Sequence, residues 1–127
     1  TKMRAIYFSQ YNLKKFSAPK LEVIGKAEFE FMWIAEYDFP VLKEITGEFK
    51  FWGATSKYSA GNCKIEHLNG FSSLEKVGSV YVKWCPNLID FSAFKKALPS
   101  LTPETWKVED CKYNPTYQDL VDGKYKM

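Results

Sequence analysis

"LEKVGSVYVK", residues 74–83, opens with Leu and two charged residues, passes through Val to Gly, and then alternates polar and apolar side chains. The phrase has two relatives upstream, "LEVIG" (21–25) and "LKEITG" (42–47). Each again leads into alternation, as "EFEFM" (28–32) and "EFKFW" (48–52). Two further alternating stretches, "AIYFS" (5–9) and "TWKVE" (105–109), lack the phrase. Alternation of this kind marks a strand with one face buried, so five short strands are expected. Ile6, Phe8, Phe29, Phe31, Phe49, Phe51, Val80, Val82, Trp106 and Val108 point inward in this reading.

The segments between the strands also repeat. Leu13 and Phe16, Ile65 and Leu68, and Leu88 and Phe91 form Leu-x-x-Leu/Phe pairs. "NLKKFSA" (12–18) is nearly rewritten as "NLIDFSA" (87–93), and each soon reaches Pro-x-Leu. The strand centres Tyr7, Glu30, Lys50, Tyr81 and Lys107 recur at intervals of 23, 20, 31 and 26 residues. Leucine-rich repeats run at about 20 to 29 residues. The long interval holds an insertion of loop composition, "GATSKYSAGN" (53–62). The reading is therefore an α/β repeat solenoid with a parallel sheet of about five short strands and irregular or short-helical returns. An antiparallel all-β sandwich is the alternative, but it has no need of the recurring Leu-to-Gly phrase.

One domain is expected over 1–127, with coils to 112 and a cap over 113–127. "DFSAFKKAL" (90–98) spaces Phe91, Phe94 and Leu98 for one or two helical turns, with Asp90 or Ser92 as cap. "YNPTYQDLVDGKY" (113–125) predicts a closing helix with Asn114 as N-cap, Pro115 at its first position and Gly123 as its stop. Tyr117, Leu120 and Val121 would share its inner face.

Composition narrows the function classes. Hydrophobic residues make up 46% and aromatic residues 17% of 127, which supports a packed core. The net charge of +3 comes from scattered lysines and arginines, so polyanion binding gains little support. No apolar run is long enough to span a bilayer. The single histidine, His67, has no evident partner or nucleophile, no serine sits in a nucleophile elbow, and no glycine-rich phosphate loop occurs. A non-catalytic protein without cofactor is expected. Cys63, Cys85 and Cys111 lack zinc-ligand spacing, and the aspartates form no calcium loop, so no metal is expected. Cys85 and Cys111 each follow an inward strand residue by three positions. They should stack in adjacent coils as free thiols, a disulfide being the lesser alternative.

The outward face is the candidate recognition surface. With rungs about 4.8 Å apart, outward residues form columns. The reading places Tyr7, Glu30, Lys50, Tyr81 and Lys107 in one column. Ser9, Met32, Trp52, Lys83 and Glu109 form the next, and Ala5, Glu28, Glu48, Ser79 and Thr105 the third. Glu30 then pairs with Lys50, and Tyr81 lies between two lysines. Trp52, Tyr81, Met32, Lys50, Lys83 and Tyr7, with Tyr58 on the overhanging insertion, are the candidate ligand-binding residues for protein or glycan. The same pairs would pin strand register at about 0.2–1 kcal/mol each. Glu28, Glu30 and Glu48 would repel phosphates, which argues against nucleic acid.

"LEVIG", "LKEITG" and "HLNGFSSLEKVGSVYVKWCPNLIDFSAF" (67–94) resemble the leucine-rich, receptor-L-type repeats of surface proteins from anaerobic gut bacteria. The tail "YNPTYQDLVDGKY" is similar to a segment that closes such proteins. The insertion at 53–62 and the short return from Ala35 to Val41 depart from the pattern. The resemblance implies the C-terminal fragment of a secreted or lipid-anchored cell-surface protein that binds rather than catalyses. The chain would be monomeric and would meet a membrane only through an upstream anchor. A structural spacer or capping unit of a larger surface protein is the alternative role.

Overall fold

The computed structural model describes residues 1–9, 15–30, 36–54 and 63–127. Among these the chain is mostly sheet, and every pairing between named strands is parallel. That excludes the antiparallel sandwich as a description of the main sheet. Its strands are β1 (Lys2–Met3), β2 (Ile6–Ser9), β4 (Val23–Ile24), β5 (Ala27–Glu30), β7 (Glu44–Trp52), β8 (Lys76–Lys83) and β9 (Trp106–Glu109). A second sheet pairs β3 (Lys15–Ser17) with β6 (Glu36–Asp38). The main sheet has five levels, each paired with the level before it in sequence: β1 with β2, β4 with β5, then β7, β8 and β9.

The glycine of the repeated phrase marks a close approach between levels. A Cβ on Gly25 would collide with the carbonyl of Arg4, one on Gly47 would lie 2.7 Å from the Gly25 oxygen, and one on Gly78 2.6 Å from the Thr46 oxygen. The Gly47 amide also donates to the Gly25 carbonyl at 2.8 Å. Main chains meet where side chains would otherwise hold them apart, and the three middle levels carry a glycine there. "LKEITG" is one residue longer than its relatives. The extra residue emerges as a bulge, with the β7–β8 register shifting between Ile45 and Glu48.

These glycines fix a register that differs from the letter match between "EFEFM" and "EFKFW". Ala27 pairs with Phe49 and Phe29 with Phe51, so the second level is displaced by two residues. Lys26 and Ala27 stand between Gly25 and the Glu-Phe pair, whereas Glu48 follows Gly47 directly. Of the ten expected inward residues, Phe29, Phe49, Phe51, Val80, Val82 and Trp106 are buried. Ile6 and Val108, on the two outer levels, are partly buried. Phe31 lies outside the described residues, and Phe8 is placed only by its pairing with Phe29.

The core lies between the main sheet and the returning segments. Ile65, Leu68, Leu88 and Phe91 are buried, as their pairing in sequence predicts; Phe16 is partly buried and Leu13 lies outside the described residues. A run of aromatic rings crosses the levels. Phe39 stacks on Phe71 at 4.8 Å, Phe71 meets Phe49 at 4.9 Å, Phe49 meets Phe94 at 5.5 Å, and Phe94 meets Trp106 at 5.4 Å. Burying each ring contributes roughly 1.5–3 kcal/mol, and edge-to-face contact adds to that.

The return after β8 forms two 3-10 turns, Ser92–Phe94 and Leu98–Ser100, and no α-helix. The N-cap of the first turn is Phe91, without a side-chain cap, so neither Asp90 nor Ser92 takes the expected place; the Asp90 carboxylate instead accepts from the Ser92 amide at 2.9 Å, two residues on. Phe91 and Phe94 are buried, while Leu98 is partly buried.

The closing helix α1 (Tyr117–Val121) starts later than its sequence signals suggested. Thr116 is the N-cap, in a reciprocal capping box with Asp119. Asn114 instead holds both the amide and the carbonyl of Cys111, at 2.9 and 2.8 Å. The Pro115 carbonyl accepts from the Trp106 indole at 2.9 Å. Gly123 takes φ 80° after the helix, the left-handed stop expected of it. Leu120 is buried, but Val121 is 50% exposed and belongs to the outer face. Beyond the helix, Asp90 bridges Lys126 in antiparallel sense, with the Phe91 amide donating to Tyr125 and the Met127 amide to Ile89. Among the described residues no helix is long and apolar enough to cross a membrane.

Candidate functional site

The outward columns follow the glycine-set register. Tyr7, Glu28, Lys50, Tyr81 and Lys107 share one column, so Glu28 takes the place expected for Glu30. Ser9 pairs with Glu30, and Trp52, Lys83 and Glu109 continue that second column. Glu30 therefore stands where Met32 was expected. Met32 and Tyr58 lie outside the described residues. Tyr7 is 66% exposed on the first level, where Lys26 stands 6.0 Å from its ring, apart from the cluster around Trp52.

That cluster brings together Trp52, Tyr81, Lys50 and Lys83, four of the seven candidate residues. The Trp52 and Tyr81 rings meet edge to face at 5.4 Å. The Lys50 ammonium stands 3.8 Å from the centre of the Trp52 ring and 2.9 Å from a Glu30 carboxylate oxygen. Lys107 lies 4.7 Å from the Tyr81 ring centre, so Tyr81 sits between two lysines as the column order predicts. The Tyr81 hydroxyl donates to Glu109 at 2.6 Å, and Lys83 pairs with the same carboxylate at 3.2 Å. The Tyr81 hydrogen bond, followed by that from Lys83, holds the Glu109 carboxyl below its ordinary range. The hydrogen bond to Glu109 raises Lys83.

Trp84 is a member that the alternation conceals. Counting from Val80 and Val82 would send it inward. Its backbone instead takes φ 57°, which breaks the alternation, and its ring meets Trp52 edge to face at 5.3 Å. Lys83 stands 4.4 Å from the Trp84 ring. A positive φ in a bulky residue carries no local sequence signal. The Trp52 indole N–H is buried and has no hydrogen-bond partner among the described residues. The result is a tight aromatic group under a roof of lysines, each of which also answers a neighbouring carboxylate or ring.

His67 stands elsewhere, exposed on the return side, its Nδ1 accepting from the Asn69 amide at 3.2 Å. It lines a groove of about 180 Å³ with Lys15, Glu36 and Asp38. In the adjoining ladder the Ser17 hydroxyl donates to Asp38 at 3.4 Å. Among the described residues no group of three His, Cys, Asp or Glu side chains is arranged to hold a metal ion. No protein-family model, curated protein or solved structure matches this chain.

Proposed function

We propose that the chain is a leucine-rich solenoid segment that serves as a non-catalytic binding module at a cell surface, for a protein or glycan. The observation that carries this reading is the grouping of Trp52, Tyr81 and Trp84 on one outward face, rimmed by Lys50, Lys83, Glu30 and Glu109. Aromatic anchors inside a charged rim suit recognition of an amphipathic partner. The reading also assigns contacts to the insertion at 53–62, whose residues 55–62 lie outside the described residues. In this proposal the repeated phrase, the recurring glycines and the parallel levels are the scaffold, and the extracellular location follows from the resemblance to receptor-L-type repeats.

A spacer or capping role is the second reading, and a specific observation favours it. The charges on this face are satisfied among themselves: Glu30 by Lys50, and Glu109 by both Tyr81 and Lys83. Such ladders hold strands in register without any ligand. One experiment separates the two roles. The double variant Trp52→Ala with Tyr81→Ala is applied to a glycan array and to an extracellular-protein array, with thermal unfolding followed in parallel. Loss of an array signal with cooperative unfolding retained supports recognition. An unchanged array pattern with a clear drop in melting temperature assigns the face to structure.

A further inference from the structure

We propose that Cys111, Cys85 and Cys63 form a thiol relay that captures small-molecule disulfides at Cys111 and carries the oxidation inward to a Cys63–Cys85 disulfide. The first support is a repeated backbone. Lys83 and Glu109 pair in register on adjacent levels. The next residue of each strand, Trp84 and Asp110, takes a left-handed φ, 57° and 55°. The residue after that is cysteine in both, and each thiol donates to the carbonyl two positions back: Cys85 to Lys83 at 3.5 Å, Cys111 to Glu109 at 3.4 Å. The Lys112 amide donates to the Cys85 carbonyl at 3.3 Å and keeps the two main chains adjacent. Neighbouring strands lie about 4.8 Å apart, inside the Cα separation of about 4.4–6.8 Å that a disulfide spans.

Cys63 completes the column from the other side. Its carbonyl accepts from the Asn87 side chain at 2.8 Å, which ties it to the segment following Cys85. It packs so closely under the end of β7 that a Cβ on Gly53 would lie 2.9 Å from its sulfur. Cys111 and Cys63 both act on the Cys85 thiol, which lies between them in the column. The two neighbouring thiols and burial push the Cys85 thiol up, while Cys85 draws the Cys63 thiol down. Cys63 and Cys85 are buried, and Cys111 is half-exposed. The column therefore has one entrance, one central sulfur and one inner sulfur.

The chemistry balances with one disulfide, RSSR, as oxidant. The Cys111 thiolate attacks one sulfur of RSSR and releases RS⁻, which takes up a proton, leaving a mixed disulfide on Cys111. Cys85 gives up its proton and attacks the Cys111 sulfur, expelling the second RS⁻. The Cys63 thiolate then attacks the Cys85 sulfur from the side opposite Cys111, and Cys111 departs as thiolate. Thiol–disulfide exchange depends on the attacking thiolate, the leaving thiol and access to the attacked sulfur, so the attack by the raised, buried Cys85 thiol is the slow step. In sum RSSR becomes two RSH, and two protein thiols become one disulfide that fastens the segment beginning at Cys63 to the fourth level.

The test treats the reduced chain with oxidised glutathione, quenches with acid, and maps thiols and disulfides by mass spectrometry. The expected product is a Cys63–Cys85 disulfide with Cys111 free. Cys63→Ala should stop at Cys85–Cys111, and Cys85→Ala should retain glutathione on Cys111. A wild-type chain that keeps glutathione on Cys111, as Cys85→Ala does, would overturn the relay, as would absence of reaction at Cys111. Should Cys85→Ala fail to fold, Cys63→Ala decides alone: a Cys85–Cys111 bond supports the relay, and a lasting mixed disulfide ends it.

Discussion

Gly47 shows how much a single position can decide. A methyl group there would lie 2.7 Å from the Gly25 carbonyl oxygen, a main-chain atom held in the sheet and unable to swing aside. Gly47→Ala should therefore destabilise by about 1–3 kcal/mol, the range for forced overpacking. Thr46→Ala next to it removes an exposed side chain with one 3.3 Å hydrogen bond and should cost about 0.5 kcal/mol or less. Urea midpoints of the two variants decide the matter, and equal shifts would mean that the glycines do not set the spacing of the levels. The same scale explains what the sequence hid. The Glu-Phe letters at 28–29 and 48–49 match, yet Glu28 pairs with Lys50 because Gly25 and Gly47 anchor the levels. Trp84 escaped the alternation because its left-handed backbone turns it toward Trp52, a choice made by the packing of the next level.

At the scale of elements, the closing helix tests local signals against tertiary ones. The sequence marks its stop at Gly123 plainly, but its start is contested among Asn114, Pro115 and Thr116, all plausible near a first turn. Tertiary demand settles the order: Asn114 is engaged by Cys111 and the Pro115 carbonyl by Trp106, which leaves Thr116 to cap. Thr116→Ala should cost about 1 kcal/mol, read from the shift in thermal unfolding. The partner in the capping box adds a pH dependence. Backbone and side-chain hydrogen bonding with Thr116 holds the Asp119 carboxyl below its ordinary value. A depressed folded pKa contributes stability above the unfolded value of about 4, and that share is lost as pH falls through the lower folded value. Glu109, lowered by Tyr81 and then Lys83, acts in the same direction. An acid titration of Asp119→Asn should therefore show a shallower loss of stability below about pH 4 than the parent. Strand positions and buried pairs such as Leu88 and Phe91 were legible because alternation and Leu-x-x-Leu spacing depend on local geometry alone. The second-level register, the 3-10 character of 92–100 and the helix start depend on contacts between levels, which no local pattern encodes.

Across the whole molecule, levels in the main sheet pair with their neighbours, and among the described strands β9 pairs with β8. Residues 113–127 pack beside these two levels. The Phe91 amide donates to Tyr125, the Met127 amide to Ile89, and the Tyr113 hydroxyl to the Lys124 carbonyl. Tyr125 is buried against the core while the residues on either side of it are exposed. These contacts close the return side of the last levels, as the Pro115 carbonyl does for the Trp106 indole. Removing residues 123–127 should open that end without dissolving the rest, because neighbouring levels pair with one another and local opening can be confined to one end. Native-state hydrogen exchange should show the Phe91 amide losing protection, with Tyr113 and Trp106 following as the end frays. The amides of Gly47 and Gly25, two or more levels away, should exchange at the parent rate, since their acceptors on Gly25 and Met3 are untouched. Loss of protection at Gly25 and Gly47 equal to that at Phe91 would instead show a molecule that opens only as one unit, with the aromatic run from Phe39 to Trp106 coupling every level to the tail.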